Sequence, residues 1–331
     1  MTVIAGTSRG TFLLRDGHAL AVSPERGVRD LVAIGGRIFA GTSAGLYASN
    51  DAGANWHSAG IEGRAVWQIR ASADAKLLYA SAEPAQLFCS RDGGDSWRSL
   101  DAFARQPQAE AWCVPVQPRQ PARARALVVD QANPERLWVG VEVGGIAFSA
   151  DAGASWQMNL PGDNPDIHML CAHPATPDVL FVSTGYGRLD GVAEMIEGNA
   201  GVFRSDDAGA SWRYVWRGVT PRYSRPMCID SRPPYALTVA SAPTAFSNVH
   251  ETGGAAAMLF RSDNGGESWR SLGDVAHSPS AANFHGLAPD PSEPGAVVVG
   301  TDSGEVWRVS NAGDWTCLAT GLPTVLSLLA I

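Results

Sequence analysis

A short turn sequence recurs six times along the chain and constrains its fold more than any other feature. Four copies have the form Ser-x-Asp-x-Gly-x-x-Trp, a fifth has asparagine in place of aspartate, and the sixth is shortened. Short Ser and Asp side chains accept hydrogen bonds from N–H groups of their own turn, Gly allows a positive φ, and Trp buries a large ring. Turn formation therefore accounts for every residue type in the repeat. The copies lie at 49–56, 90–97, 149–156, 205–212, 262–269 and 310–315.

The spacing of these turns predicts a repeat architecture, because the copies begin between 41 and 59 residues apart. Each copy follows two short runs rich in β-branched and aromatic residues, which predicts a β-hairpin that ends at the turn. One such unit cannot bury its own hydrophobic face, so repeats of this length are typical of propellers and solenoids. The hairpins are predicted at 37–49, 77–90, 136–149, 179–205, 236–262 and 297–310, and one without a turn copy at 2–14.

An additional apolar strand precedes every hairpin except the one at 2–14, and a last apolar strand, 324–331, has no hairpin after it. The two ends therefore complete each other. We predict an all-β fold, a seven-bladed β-propeller closed by the C-terminal strand joining the N-terminal blade, with six or eight blades as the alternative. Residues 1–331 are predicted to form a single propeller domain. The additional strands are predicted at 28–34, 65–71, 125–130, 167–172, 225–230 and 284–289.

Composition and charge exclude several classes of partner. A net charge of -8 argues against a nucleic-acid partner bound by bulk electrostatics. No apolar run is long enough to cross a bilayer, and the first ten residues lack a signal-peptide pattern, so we expect a cytoplasmic protein without a membrane partner. The five cysteines have no CxxC spacing, and most are expected to be small buried residues. No cofactor is indicated.

Three long segments, 100–124, 184–200 and 242–257, are predicted to lie on the same face of the ring. We call this the insertion face, and we call the opposite face, which carries the turn copies, the turn face. Long loops without regular structure are often lids or binding loops. The proline-rich part of the first segment, 107–121, is either a lid over the channel or a plain connector.

Six cationic or imidazole side chains are predicted to ring the mouth of the central channel on the insertion face. Four of them stand five residues before the polar residue that ends an inner strand, and two lie near the equivalent place in other blades. Because guanidinium groups bind carboxylate or phosphate through paired hydrogen bonds, the ring suggests a small anionic ligand. A solvated channel lined by internal salt bridges is the alternative. The four are Arg125, His168, Arg225 and His285, and the two are Arg29 and Arg64.

Candidate catalytic residues border the same mouth, at the ends of the second strands. Glu83, Glu142 and Tyr186 lie there, beside the arginines. A carboxylate or a tyrosine in this position could act as nucleophile or proton shuttle, or could only pair with an arginine. His168 and His285 have no nearby carboxylate pattern typical of metal ligands, so no metal site is predicted.

The turn copies resemble the Asp-box, or BNR, repeats of sialidases, of two-propeller xyloglucanases, of sortilin-type receptors and of the photosystem II assembly factor of cyanobacteria and chloroplasts. The resemblance extends from Arg37 to Trp315 and includes compact bacterial proteins labelled glycosyl hydrolase-like. It implies the propeller fold but no particular function. Sialidases are similar in using an arginine triad, a Tyr–Glu pair and an Asp acid/base. Their Arg-Ile-Pro near the first blade is missing here, and the nearest sequence is Arg225-Pro226, so classical sialidase activity is not expected.

Two functional hypotheses follow. In the first, the channel mouth binds a small anionic ligand, a carboxylate, acidic sugar or phosphate, and any chemistry is hydrolysis or a lyase-type proton transfer. In the second, suggested by the resemblance to the assembly factor, the insertion face binds a protein partner as a scaffold. A concave, cation-lined pocket would favour the first, and a flat face with exposed Trp112, Tyr186 and Phe246 would favour the second.

Overall fold

The computed structural model describes residues 1–15, 18–23, 27–186 and 195–331. Seven four-stranded antiparallel sheets follow one another around a central channel, and the innermost strand of each sheet lines that channel. The predicted seven-bladed β-propeller is therefore confirmed.

We number the blades from the N-terminus and give their strands from the channel outward. Blade 1 contains Val325–Ala330, Val3–Thr7, Gly10–Arg15 and His18–Ser23; blade 2 contains Asp30–Ile34, Arg37–Thr42, Gly45–Ser49 and His57–Gly60; blade 3 contains Ala65–Ala71, Leu78–Glu83, Gln86–Ser90 and Arg98–Ser99; blade 4 contains Ala124–Val129, Leu137–Val141, Gly145–Ser149 and Gln157–Asn159. Blade 5 contains Ile167–His173, Thr176–Thr184, Gly201–Ser205 and Arg213–Tyr214; blade 6 contains Tyr223–Ile229, Leu237–Ala242, Met258–Ser262 and Arg270–Ser271; blade 7 contains Phe284–Pro289, Val297–Thr301, Val306–Val309 and Trp315–Ala319.

The ring closes through blade 1, which is assembled from both ends of the chain. The strand Val325–Ala330 pairs antiparallel with Val3–Thr7. Two further backbone hydrogen bonds of 2.9 Å join Thr2 and Ile331, and the Ser327 hydroxyl donates to the carbonyl of Val28 at the edge of blade 2. The predicted closure is confirmed, and each sheet in the ring has a neighbour on both sides.

Hydrogen bonds within the turn copies explain the repeat. In the turn at 149–156, the Ser149 hydroxyl donates to Asp151 Oδ1 at 2.8 Å and accepts from the N–H of Gly153 at 2.9 Å. Asp151 Oδ1 also accepts from the N–H of Ser155. The side-chain hydrogen bond from Ser155, followed by its backbone N–H, lowers the pKa of Asp151 to about 2. Among the described residues, the hydrogen bonds of the Asp151 carboxylate are thus all formed within its own turn.

The other copies repeat this arrangement, with one exception. The glycine N–H donates to the serine hydroxyl in the turns of Ser49, Ser90, Ser205 and Ser262. In the shortened sixth copy the Ser310 hydroxyl donates to Asp314 instead, at 3.1 Å. The turns on the turn face therefore have a structural role.

Replacement of a turn serine tests this role. Ser149→Ala is expected to lower the free energy of unfolding by about 1–3 kcal/mol, because the buried N–H of Gly153 loses its acceptor. Ser155→Ala, which removes an exposed hydroxyl from the same turn, is the control and should cost less. Urea unfolding measures both values, and equal effects would contradict the account.

The segment 100–124 is ordered and is not the irregular loop that the sequence predicts. It contains the α-helix Asp101–Ala104, the 3-10 helix Pro107–Ala111 and a ribbon in which Cys113–Val114 pairs with Gln120–Pro121. Phe103 and Trp112 pack together with ring centroids 5.4 Å apart inside the core between blades 3 and 4. This segment thus extends the hydrophobic core, and a second 3-10 helix, Pro161–Asp163, precedes blade 5.

The segment 242–257 is tied down by polar contacts to blade 7. The N–H of Val249 donates to Asp302 Oδ2 at 2.8 Å, and the Asn283 side chain donates to the carbonyl of Ser247 at 2.6 Å. In the remaining insertion, 184–200, residues 187–194 lie outside the described residues.

The cysteines and the helices complete the description. All five cysteines are free. Only Cys89 and Cys228 are buried, Cys113 and Cys171 are half-buried and Cys317 is exposed, so the expectation that most would be buried is wrong. Within the described ranges, none of the helices has the length and apolar character that a membrane span requires.

Candidate functional site

A recurrent irregularity in the innermost strands builds the site. In six blades the pairing register between the innermost strand and its neighbour shifts by one residue at the same level. Such a bulge leaves the extra residue unpaired and redirects its side chain. In blade 2 Arg29 has the same place, directly before the strand, with its N–H donating to Gly41. The residues at this level in blades 1 to 7 are Leu326, Arg29, Trp67, Arg125, His168, Arg225 and His285, and all seven line one cavity.

This cavity, which we call the arginine pocket, has a volume of about 250 Å³ and lies at the insertion-face end of the channel. A second, mainly apolar cavity of about 510 Å³ follows the inner strands toward the turn face. Gln68 lies at the boundary between them: its amide donates to Met169 Sδ, and its Oε1 accepts from the N–H of Leu127 at 2.7 Å. Besides the seven residues at the bulge level, the pocket is lined by Gln68, Arg123, Glu142, Met169 and Pro226.

Trp67 organises one wall of the pocket. The guanidinium groups of Arg29, Arg123 and Arg125 lie 4.1, 5.6 and 5.4 Å from its ring centroid. Its indole N–H donates to Glu83 Oε2 at 3.1 Å, which fixes the orientation of the ring. The electron-rich face of an indole attracts cations, so Trp67 holds three positive charges close together.

Two carboxylates balance part of this charge. Glu142 accepts from Arg123 at 3.2 Å and from Arg125 at 3.0 Å, and Glu83 lies 3.3 Å from Arg123 Nε. Burial alone would raise the pKa of Glu142, but Arg125 and Arg123 outweigh that effect and lower it to about 2. Glu142 is therefore ionised at neutral pH and cannot donate a proton.

Arg29 differs from Arg123 and Arg125, because its guanidinium group has no hydrogen bond or ion pair with any residue that the structure describes. Its only close partner there is the Trp67 ring, and burial lowers its pKa. A half-buried cation without a hydrogen-bonded anion presents free N–H donors to the pocket.

His285 is the second pocket residue with unused polar atoms. Its ring makes no hydrogen bond within the described part of the chain, and burial, together with the charges of Arg225 and Arg125, lowers its pKa to about 3. It is therefore neutral at pH 7.

Arg225 connects the pocket to the segment 242–257. Its Nη2 donates to the carbonyl of Ala245 at 2.8 Å and to the hydroxyl of Tyr223 at 3.3 Å, while its Nε has no partner among the described residues. Burial raises the pKa of Tyr223. The ring of His168 lies 4.8 Å from that of Tyr223, and its Nδ1 lies 2.6 Å from the carbonyl of Ser224.

The structure brings most of the sequence-predicted residues together. Arg29, Arg125, His168, Arg225, His285 and Glu142 all line the arginine pocket, and Glu83 supports it through Trp67 and Arg123. Arg64 is exposed in the turn before the strand Ala65–Ala71, and Trp67 holds the place that was predicted for it. Tyr186 is half-buried and does not line the pocket.

Sequence reasoning missed Trp67, Arg123, Tyr223 and Asp166. Trp67 is the residue at the bulge in blade 3, so the predicted register was wrong by three residues in that blade. Arg123 lies two residues before Arg125, on the same side of an extended chain, and this alternation is the signal that could have identified it. Asp166 lies two residues before His168 in the same way. Arg123 lines the pocket itself, and Asp166 lies beside His168 behind the lining.

The insertion face around the pocket also carries apolar side chains. Trp112 is buried at 8% exposure, but Phe246 is 74% exposed. Of the exposed large apolar residues in the described chain, Leu160, Ile196, Phe246 and Val275 all lie in connections on this face. The face therefore combines a concave, cation-lined pocket with separate apolar side chains around it.

Because His285 is neutral in the folded protein, we predict that the stability of the protein decreases at acidic pH. In the unfolded chain a histidine takes up a proton near pH 6.5, but in the folded protein His285 does so only near pH 3. The unfolded state thus binds more protons in this window, so stability falls as the pH decreases from 6.5 to 3, by at most about 1.4 kcal/mol per pH unit. His285→Gln should reduce this acid-dependent loss. Melting temperatures from pH 8 to pH 4 measure it, and an unchanged slope would contradict the prediction.

The fold and the pocket define a seven-bladed β-propeller with a cation-lined cavity at one end of its channel. No protein-family model matches the chain. Over 262 residues it is 27% identical to a xyloglucanase from a Paenibacillus species, a match that covers 77% of this chain and 22% of the xyloglucanase. The chain thus spans about a fifth of the length of that relative.

Solved structures of two kinds are among those that share this fold. The GH74 enzyme from Niastella koreensis has a TM-score of 0.64 at 14% identity, and the match covers 95% of this chain and 46% of the enzyme. The structure of YCF48 bound to D1 peptide has a TM-score of 0.56 at 15% identity, and the match covers 88% of this chain and 81% of YCF48. YCF48 from Cyanidioschyzon merolae has a TM-score of 0.59 at 11% identity. At these identities the likeness shows the β-propeller fold alone.

Proposed function

We propose that the protein binds a carboxylate-bearing ligand in the arginine pocket. The observation that carries this proposal is the guanidinium of Arg29, which has no hydrogen-bonded partner among the described residues and lies with the neutral His285 and the half-buried Arg225 around one small cavity. Guanidinium N–H groups in fixed positions bind carboxylates through charge-assisted hydrogen bonds.

The charge balance supports an anionic ligand. Four arginines, Arg29, Arg123, Arg125 and Arg225, line the pocket, whereas Glu142 is the one carboxylate in its lining as described. Burial, together with the positive charges of Arg225 and Arg125, holds His285 in its neutral form. An anion in the cavity would relieve this repulsion, so the pocket favours negative over neutral occupants.

The size of the pocket limits the ligand. Its volume of about 250 Å³ is below the usual range for drug-sized ligands, roughly 300–1,000 Å³. The pocket suits a small acid or the carboxylate end of a larger molecule. It is too small for several sugar rings.

The described groups favour binding over proton transfer. Glu142 is held ionised by two arginines, burial raises the pKa of Tyr223, and His285, with a pKa of about 3, is a weak base. A general acid or base works best with a pKa near the operating pH. A hydrolase or lyase role would need a proton donor other than Glu142, so we place binding first.

A thermal-shift screen against small mono- and dicarboxylates, acidic sugars and inorganic phosphate tests the proposal. A ligand should raise the melting temperature of the wild type and of Arg64→Gln, because Arg64 is exposed outside the pocket. In Arg29→Gln the same ligand should bind at least about tenfold more weakly, the equivalent of one charge-assisted hydrogen bond. Equal affinities in the two variants would refute the site.

A second candidate role is a scaffold that binds a protein through the insertion face. The comparisons favour two broad kinds of function, a glycosidase-type activity as in the xyloglucanases or an assembly role like that of YCF48. The YCF48 matches cover most of both chains, whereas the xyloglucanase matches cover less than half of those enzymes. The exposed Phe246 and Val275 on the insertion face favour the scaffold.

The two candidates are separable. If the face binds a protein, Phe246→Ser should weaken capture of that protein while leaving the affinity for a small carboxylate unchanged. Release of reducing sugar from xyloglucan by the purified protein would favour the glycosidase-type role instead.

A further inference from the structure

Behind the wall of the arginine pocket, three buried side chains converge on one point. One donor atom each from Glu142, Asp166 and His168 lies within 4.8 Å of the other two. Their exposed fractions are 6%, 3% and 1%. Glu142 and His168 also line the pocket, so the cluster borders the cavity.

When the ring of His168 is neutral, its tautomer places a lone pair on Nε2, the nitrogen that lies 3.1 Å from Asp166 Oδ1. Nδ1 lies 2.6 Å from the carbonyl of Ser224, which can only accept, so Nδ1 carries the proton. Nε2 is buried and makes no hydrogen bond within the described residues, although Asp166 Oδ1 lies 3.1 Å away. A histidine that donates from one ring nitrogen to a backbone carbonyl and leaves the other free has the arrangement of a metal ligand.

The distances suit a transition-metal ion. Two donor atoms that share a tetrahedral Zn²⁺ at about 2.0–2.2 Å lie roughly 3.3–3.6 Å apart. Nε2 of His168 and Oδ1 of Asp166 are 3.1 Å apart, and Glu142 is within 4.8 Å of both. A shift of about one ångström by Glu142 would complete a three-ligand site.

The positive charges of the neighbouring arginines repel a metal cation. This repulsion predicts that an anion binds together with the metal ion. Glu142 already accepts from Arg123 and Arg125, but a carboxylate has about four lone-pair sites, so each oxygen retains one. An added divalent ion increases the positive charge of the pocket. A coordinated anion on the cavity side would offset that charge.

We propose that Glu142, Asp166 and His168 bind one divalent transition-metal ion of the Zn²⁺ class, with a coordination position open to the arginine pocket. The imidazole favours Zn²⁺ over Mg²⁺ and Ca²⁺, which prefer all-oxygen sites. The ion and the arginines then bind the same anionic group from two sides. The inference goes beyond the proposed carboxylate binding and does not require it.

Metal content after dialysis tests the inference. The purified protein is treated with EDTA, dialysed against ZnCl₂ and then against metal-free buffer, and analysed for zinc, with MgCl₂ as a parallel sample. Wild type should retain one zinc per chain, and His168→Gln and Asp166→Asn should retain at least about tenfold less. His285→Gln is the matched control, because it removes the pocket histidine outside the cluster and should retain zinc like the wild type.

Two results would overturn the proposal. One is the absence of stoichiometric zinc in the wild type, and the other is equal zinc in wild type and His168→Gln when circular dichroism shows both folded. Carboxylate binding measured on the same samples keeps the two proposals apart. A wild-type protein that retains no zinc but still binds the carboxylate would refute the metal site alone.

Discussion

Removal of residues 324–331 is expected to abolish the folded ring. The strand Val325–Ala330 is the innermost strand of blade 1, and Val325 and Leu328 are buried against blades 7 and 1. Burial of one such side chain stabilises the folded protein by about 1.5–3 kcal/mol. The truncation also leaves the backbone N–H and C=O groups of Val3–Thr7 without their strand partner. The summed loss of stabilisation approaches the whole free energy of unfolding of a typical domain, which is about 5–15 kcal/mol.

Soluble expression and the cooperativity of thermal unfolding measure this effect. A milder change in the same strand, Leu328→Ala, should lower the free energy of unfolding by about 2–5 kcal/mol and preserve the ring. If the truncated chain were soluble, monomeric and cooperative with a wild-type melting temperature, closure by the C-terminal strand would not hold the ring together.

Loss of the Glu142 carboxylate is expected to have the second largest effect. Glu142→Ala leaves Arg123 and Arg125 partly buried without their shared anion, and breaking a buried pair on one side costs about 3–5 kcal/mol. Because the pKa of Glu142 is lowered to about 2, its contribution is present above the unfolded pKa near 4.5 and is lost as the pH falls toward 2. Urea unfolding at pH 7 measures the cost.

An exposed ion pair provides the control for this change. Asp95, which is 73% exposed, pairs with Arg37 at 2.8 Å, and Asp95→Ala should cost less than about 1 kcal/mol. Similar costs for Asp95→Ala and Glu142→Ala would mean that water screens the arginine pocket as it does the surface.

The fold was predictable from sequence because its signals are local. A turn serine, its aspartate and its glycine interact within five residues, and hairpins such as Arg37–Thr42 with Gly45–Ser49 are marked by composition. The closure was also predictable, since 2–14 had no inner strand and 324–331 had no hairpin. The helices and the ribbon within 100–124 were missed, because they are stabilised by the packing of Phe103 and Trp112 in a shared core.

The pocket was only partly predictable, because its geometry depends on bulges. A bulge depends on how two strands pair, so the sequence of one strand does not mark it. Arg125, His168, Arg225 and His285 were identified because each stands five residues before the polar residue at the end of its inner strand. In blade 3 Trp67 has the same spacing, five residues before Ser72, but the inner strand there was aligned three residues out of register, so Arg64 was named in its place. Tyr186 was placed at the mouth by chain position alone.

The pKa of His285, measured by NMR on protein with labelled histidine rings, tests the account most directly. If the arginine pocket is a desolvated cationic site, the His285 signals should not titrate between pH 8 and pH 5, and a bound carboxylate should raise the pKa by offsetting Arg225 and Arg125. A His285 that titrates near pH 6.5 and does not respond to any carboxylate would contradict the proposed anion site.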